Sequence, residues 1–311
     1  MGSSVILGLD IGGSSLKLGA WRTDGSRLGE RVAWSDGITL PATADQEHAV
    51  EAIGTEVQRF AEQIQSPALA LGIGSAGLIS DGVILQSPNT PWDHLPLAAP
   101  LSRRLGYPVT IINDADAFLL GELQRSGELP HGALGITLGT GIGTAVWLHH
   151  RLLTGGSGIS PEGGHITLDL YGDEANSGVI GTWESLAGKH ALLGYCVERG
   201  GPQFTEAIEV AQLAETEGGD GPARSAWRRY GYCVGAGLGS MCNLFSPQLV
   251  LIGGGLAGAR KWYEGALHDA LKRHRLRAIP APEVRFVVDA PDTVAIGAAQ
   301  YALNELNPTL P

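Results

Sequence analysis

Short apolar runs, each closed by a cluster of small and polar residues, set the rhythm of the chain. Val5–Leu9 reads as a buried strand ending in the turn Asp10–Ser15. Leu16–Trp21 and Leu28–Trp34 continue as strands, joined across the turn Thr23-Asp24-Gly25. From Asp45 to Gln65 the period changes: Val50, Ile53, Val57, Phe60 and Ile64 recur at spacings of three and four, which predicts an amphipathic helix. Leu69–Ile73 predicts a strand closed by Gly74-Ser75-Ala76-Gly77, and Val109–Ile112 one closed by Asn113-Asp114.

The pattern then restarts. Ala133–Leu138 predicts a strand closed by Gly139-Thr140-Gly141-Ile142-Gly143, and Thr144–Leu148 the next strand. A long helix is expected over Ser225–Leu244, then a strand Leu249–Ile252 closed by Gly253-Gly254-Gly255. Val284–Val288 predicts a last strand and Val294–Leu306 a closing helix. Leu7–Trp21 resembles Ile136–Trp147, and Leu69–Gly77 resembles Leu249–Gly255, in the same order. A duplicated α/β unit is therefore expected, with a ligand cleft between the copies faced by the Gly-rich strand ends.

Composition narrows the function classes. At 311 residues the chain can hold two domains of about 100–200 residues each. Its 46 glycines sit largely in clusters after apolar runs, as expected for backbone held close to a ligand. A formal net charge of −11 argues against nucleic acid as a main partner, because phosphate contacts need a basic footprint. Cys196, Cys233 and Cys242 form no CxxC pair, so neither a disulfide framework nor a cysteine-rich zinc site is expected, and a reducing, cytoplasmic compartment fits. No apolar run approaches the roughly 18 residues of a membrane span. With the first strand read from Val5, no signal peptide is expected.

Within this frame, Asp10-Ile11-Gly12-Gly13-Ser14-Ser15-Leu16-Lys17 suits a phosphate turn. Its glycines let backbone N–H groups approach an anion, Asp10 can hold Mg²⁺ through water, and Lys17 can add positive charge. A plain β-turn with a solvated Asp uses the same residues. Gly139-Thr140-Gly141-Ile142-Gly143 has the same two readings, phosphate turn or tight hairpin. Gly253–Gly258 formally matches the dinucleotide fingerprint, but no acidic residue ends a strand about 20 positions later. A nucleotide-facing turn is the better reading there. Asn113-Asp114-Ala115-Asp116 closes an apolar strand, so Asp114 can accept a proton from a hydroxyl nucleophile. The alternative is an Asx turn or helix cap, a role that suits Asp116. Pro161-Glu162-Gly163-Gly164-His165 and Glu184 supply carboxylates and an imidazole suited to sugar hydroxyls; the alternative is a solvated loop carboxylate and a structural histidine, the commoner case for any single residue.

Together these motifs resemble the ROK family (repressor, open reading frame, kinase) of bacterial sugar kinases, within the actin-like ATPase fold. The likeness covers nearly the whole chain. Asp10-Ile11-Gly12-Gly13-Ser14-x-x-Lys17 and Gly139–Gly143 resemble its two phosphate motifs, and Asn113–Ala117 with Gly121-Glu122 its catalytic segment. Glu162-x-Gly164-His165 and Gly178-x-x-Gly181-x-x-Glu184 resemble the sugar-site motifs, and Ile252–Gly255 the adenosine motif. The resemblance implies an α/β fold of two duplicated RNase H-like domains with a nucleotide and sugar cleft between them. The expected division is 1–114 plus 293–311 for a small domain and 115–292 for a larger one. It implies that Asp114 takes the proton from the sugar 6-hydroxyl, and that Asn113, Glu162, His165 and Glu184, with Gly77, hold the sugar. Asp10, Gly12, Gly13, Ser14, Lys17, Gly139, Thr140, Gly141, Gly143, Gly254 and Gly255 would hold ATP, with Mg²⁺ near Asp10. By family analogy a homodimer or larger homo-oligomer is expected.

Two departures stand out. Many members carry a zinc motif with cysteines after the histidine; the matching positions here are Ala175, Ser177 and Thr182. Thiolates hold such a structural zinc, so none is expected, and Trp183 is a candidate brace for the loop instead. Pro161 stands where Gly or Ala commonly precedes the Glu. The resemblance implies an ATP-dependent hexose kinase with glucose favoured. N-acetylglucosamine, N-acetylmannosamine, mannose, fructose and allose are alternative acceptors, and polyphosphate an alternative donor. The family's sugar-responsive repressors carry a DNA-binding region ahead of the first phosphate motif, which here begins within ten residues of Met1.

Overall fold

The structure is a computed structural model that describes residues 4–12, 15–25, 27–39, 46–88, 90–175 and 177–307. The chain divides into two compact α/β units. The first comprises the described residues of Met1–Leu129, His150–Pro161 and Ala290–Pro311, and the second Pro130–His149 and Glu162–Asp289.

The first unit opens with the strands β1 (Val5–Ile11), buried along nearly its whole length, β2 (Ser15–Thr23) and β3 (Leu28–Thr39). Helix α1 (Gln46–Glu62) follows, starting after the expected Asp45, which lies outside the described residues, and stopping short of Gln65. After it come β4 (Ala68–Ser75), the short strands β5 (Leu78–Ser80), β6 (Val83–Gln86) and β7 (Asp93–Pro96), α2 (Ala98–Leu105), β8 (Val109–Asn113) and α3 (Asp114–Ser126). The main sheet has the order β3-β2-β1-β4-β8. β1 is antiparallel to β2 and parallel to β4, and β4 is parallel to β8. Val5, Leu7, Leu9 and Ile11 pack with Ala49, Ile53, Val57 and Phe60 of α1. Ile6 packs on the opposite face with Ala295, Ala299 and Leu303 of α9 (Thr293–Leu306), as the two-residue period of a strand requires. Segment His150–Pro161 opens with the two-residue strand β11 (Arg151–Leu152).

The second unit repeats the pattern. Strands β9 (Gly132–Leu138) and β10 (Ile142–Leu148) form an antiparallel hairpin, and β9 runs parallel to β12 (Leu249–Gly253), itself parallel to β13 (Glu283–Phe286). The hairpin-plus-parallel-neighbour arrangement of β2-β1-β4 thus recurs as β10-β9-β12. Helices α4 (Trp183–Ala187), α5 (Lys189–Glu198), α6 (Ala207–Thr216), α7 (Pro222–Phe245) and α8 (Glu264–His274) complete it. α7 buries Ala223, Ala226, Trp227, Tyr230 and Val234 at helical spacing.

The first unit reaches Leu129, beyond the boundary expected at residue 114. The reason is α3: Asp114 opens a helix that packs on α9, so the strand end and its helix stay together. The β5-β6-β7 meander was not expected, because runs of three or four residues give too short a period to read.

Candidate active site

In the first unit, in-register pairing brings Ile11 beside Ser75 and Ser75 beside Asn113. The turn after β1 and the residues after β8 therefore leave the same, carboxyl end of the sheet. Asp10 pairs across the β1–β2 ladder with Lys17, whose ammonium lies 3.1 Å from its carboxylate. Burial pushes the Asp10 carboxyl up, and Lys17 pulls it part of the way back. Lys17 is thus the ion-pair partner of Asp10. The Gly12 N–H donates to the Ser15 carbonyl at 2.9 Å; Gly13 and Ser14 lie outside the described residues.

Asn113 is the cap of α3, accepting the Ala115 N–H at 2.8 Å, and its amide donates to the Gly77 carbonyl at 3.1 Å. Gly77 and the start of α3 are therefore tied by one side chain. Asp116, a cap candidate from sequence, is instead 2 % exposed and accepts the Ser160 hydroxyl, because the cap position lies at Asn113. Asp114 is the first residue of α3. Its carboxyl is pushed up to about 6, mainly by burial and then by the nearby Asp10 charge. Backbone N–H donors at the helix start pull the other way, but the two raising effects win.

In the second unit, the turn Gly139–Gly141 closes on itself through the Gly139 N–H and the Gly141 carbonyl at 3.0 Å. Gly143 follows on β10. Gly253 pairs with Thr137, so the turns after β9 and β12 are neighbours. Gly254 has φ +86°, and a Cβ there would meet the backbone of Leu138, so only glycine fits without strain. Between these turns and α6 opens a cavity of about 730 Å³, lined among others by Thr140, Gly255, Ile208, Trp227 and Trp262. Lys189 lies on its wall, its N–H donating to the Gly139 carbonyl at 3.0 Å and its ammonium 3.1 Å from Glu206. The glycines of this cavity were legible in the sequence; Lys189, Ile208, Trp227 and Trp262 were not. These come from separate helices and loops and share no local motif.

Glu162 precedes a single 3₁₀ turn, Gly163–His165, and its carboxylate lies 3.6 Å from the His165 ring, outside hydrogen-bond range. The Gly163 N–H donates to the Thr144 hydroxyl at 2.7 Å, which fixes this turn on β10. Glu184, on α4, accepts the Ile142 N–H at 2.9 Å. A Cβ on Gly141 would meet that carboxylate, so a larger residue there would push the end of the Glu184 side chain aside. The second Gly-rich turn and Glu184 are consequently one unit of structure.

The loop before α4 is held by backbone bonds. Leu168 and Asp169 both donate to the Gly181 carbonyl, at 2.8 and 3.1 Å, and the Trp183 N–H donates to Ile166 at 2.8 Å. Trp183 is fully buried, its indole N–H on the Cys233 carbonyl at 3.1 Å. Thr182, at one of the zinc-cysteine positions, caps α4 by accepting the Ser185 N–H at 3.0 Å. Cys196, Cys233 and Cys242 are unbridged, and among the described residues no three His, Cys, Asp or Glu cluster as metal ligands. No helix among the described residues is long and apolar enough to cross a membrane.

Comparison with known proteins bears on this geometry. A glucokinase of Streptomyces coelicolor is 30% identical over 268 residues, covering 81% of this chain and 82% of that protein. The crystal structure of a ROK family glucokinase from Streptomyces griseus, in complex with glucose and AMPPNP, superposes with a TM-score of 0.78 at 28% identity, covering 96% of this chain and 99% of that one. The xylose repressor of Bacillus subtilis is 32% identical over 202 residues, covering 63% of this chain and 51% of the repressor. The ROK family matches residues 6–305, nearly the full length, and the chain belongs to that family.

Proposed function

We propose that this sugar kinase transfers the terminal phosphoryl group of ATP to the 6-hydroxyl of a hexose, with glucose as the favoured acceptor. The observation that carries the reading is Asp114, a carboxyl raised to about 6 at the shared carboxyl end of β1 and β8. A base with that affinity is ionised at neutral pH yet takes a proton more readily than an ordinary carboxylate. In the proposed reaction Asp114 accepts the proton of the hydroxyl as the sugar oxygen bonds to the γ-phosphorus. The bond from that phosphorus to the β–γ bridging oxygen breaks, and ADP leaves with the electron pair.

Asn113, Gly77, Glu162, His165 and Glu184 are the proposed sugar-binding set. Asn113 and Gly77 are already joined to the start of α3, and Glu184 to the second Gly-rich turn. The turns at Gly12, Gly13 and Ser14, at Gly139, Thr140, Gly141 and Gly143, and at Gly254 and Gly255 are the proposed ATP contacts. The 730 Å³ cavity beside the latter two turns supports a nucleotide donor, since its apolar wall suits a nucleoside and polyphosphate has none.

Asp10 fits the Mg²⁺ that accompanies ATP. It is a hard oxygen donor, and among the described residues it belongs to no cluster of three or more metal-ligating side chains, as suits an ion that keeps most of its water. Bound there, the ion would neutralise charge on the phosphates, while Lys17 balances Asp10. The reaction is assigned to the cytoplasm, where ATP is available, and to a homodimer or larger homo-oligomer.

The test is a coupled assay over glucose, mannose, fructose, allose and the N-acetylhexosamines, with ATP and polyphosphate as donors. Glucose with ATP is expected to turn over fastest. Asp114→Ala is expected to lose at least about 10³-fold in kcat while still binding glucose. If no hexose or aminosugar is phosphorylated, the kinase reading fails. Activity retained in Asp114→Ala would remove Asp114 as the base. Wild-type protein that binds a sugar without phosphorylating it would instead favour a non-catalytic sugar-binding reading.

A further inference from the structure

Asp116 has no part in the proposed chemistry, yet it is a carboxylate only 2 % exposed, two residues from Asp114. A buried carboxylate has to be met by hydrogen bonds, so the groups that meet it are held to it in turn. Its Oδ2 accepts the hydroxyl of Ser160. Ser160 is the next-to-last residue of the segment 150–161 of the first unit, and that segment is anchored elsewhere too. The Ser80 hydroxyl donates to the Ser157 carbonyl at 3.1 Å, and Gly155 and Ile159 close an internal turn at 2.8 Å. Both anchors lie beside the sugar-site elements: Ser80 is three residues from Gly77, and Asp116 two from Asp114.

Pro161 comes directly after Ser160 in the chain, and Glu162 directly after Pro161. Proline fixes its own φ and confines the residue before it to extended backbone. A chain pinned at Ser160 and stiffened at Pro161 leaves Glu162 at most about 7 Å of chain and little torsional freedom.

We propose that Asp116 and Ser160 form a positioning pair that fixes the Ser160-Pro161-Glu162 segment and so sets the Glu162 carboxylate for sugar binding. The proposal rests on the kinase reading above for the role of Glu162. It makes Asp116 an acceptor rather than a needed charge, so asparagine, whose side-chain oxygen accepts the same hydroxyl, serves in its place. It also predicts that removing either partner has the same effect as removing both.

The experiment uses the full chain with glucose and MgATP, comparing wild type, Asp116→Ala, Asp116→Asn, Ser160→Ala, Pro161→Gly and the Asp116→Ala/Ser160→Ala pair. Steady-state kinetics, glucose binding by calorimetry and thermal melts are read on each. The expected result is a glucose KM and Kd raised about tenfold in Asp116→Ala, Ser160→Ala and Pro161→Gly, consistent with a slight misplacement of one sugar ligand. The ATP KM stays within about twofold, the double variant is no worse than either single, and Asp116→Asn stays close to wild type. Ser160→Ala deletes only a hydroxyl and carries the test if Asp116→Ala does not fold. Unchanged glucose affinity in Ser160→Ala, additive single effects, or an Asp116→Asn as poor as Asp116→Ala overturns the pair. Wild-type protein that binds glucose without phosphorylating it overturns the kinase reading and leaves the affinity comparison to decide the pair. Wild-type protein that does neither overturns both.

Discussion

Asp114 and Asp10 repel through partly excluded solvent, and that repulsion sets a pH dependence. With its carboxyl at about 6, Asp114 is mostly protonated at pH 5 and mostly ionised at pH 7. The kcat/KM for sugar is therefore expected to fall tenfold per pH unit below about 6. Asp10→Asn removes the second raising cause, so the acid limb should move to lower pH even as activity drops; a limb that stays in place refutes the coupling. Stability runs the opposite way. The folded form holds its proton more tightly than the unfolded chain, whose Asp titrates near 3.8, so native protein binds more protons between 3.8 and about 6. The stability contribution therefore falls as pH rises through that window, by at most roughly 3 kcal/mol, the full value of a shift from 3.8 to about 6. Asp114→Asn escapes this loss. Its melting temperature should exceed that of wild type at pH 7.5 and approach it at pH 4. Asp10, Asn113 and Asp114 were legible from sequence because each closes an apolar run. The distinction between Asn113 as cap and Asp116 as buried acceptor was not, since both residue types suit either place until packing decides.

At the scale of elements, the informative unit is α4 with the loop before it. Thiolate positions are absent, and the loop is instead closed by backbone bonds at Gly181 and by the buried indole of Trp183. Trp183→Ala should cost about 3–5 kcal/mol of stability as a buried aromatic truncation. It should also raise the sugar KM more than the ATP KM, because Glu184 is the next residue. Trp183→Phe keeps most of the packing and loses the bond to Cys233, so it should lie between the two; equal KM changes for both substrates in the alanine variant would show that the indole braces no particular site. The main strands and α1, α7 and α9 were legible because their periods run long enough to read. The β5-β6-β7 meander and the walls of the 730 Å³ cavity were not, because they depend on contacts between residues far apart in sequence.

The whole molecule carries one further constraint. The internal duplication was legible as two strand–turn–strand repeats, and both sheets realise it with the same parallel neighbour. The net charge of −11, by contrast, says nothing of fold and much of encounter. Magnesium-bound ATP is an anion, and a strongly acidic protein repels it at distances beyond contact. Near the proposed nucleotide cavity Lys189 is paired with Glu206 and Lys261 with Glu215, so no excess of positive charge from these groups offsets the field. Salt shortens that field to about 10 Å at 0.1 M. Raising monovalent salt from about 10 to 100 mM should therefore lower the KM for magnesium-bound ATP by roughly twofold, while the KM for an uncharged sugar stays put. A donor KM that rises with salt would instead point to attraction by a local basic surface, and the proposed phosphate turns, whose N–H groups carry no net charge, would then not be the main contributors to capture.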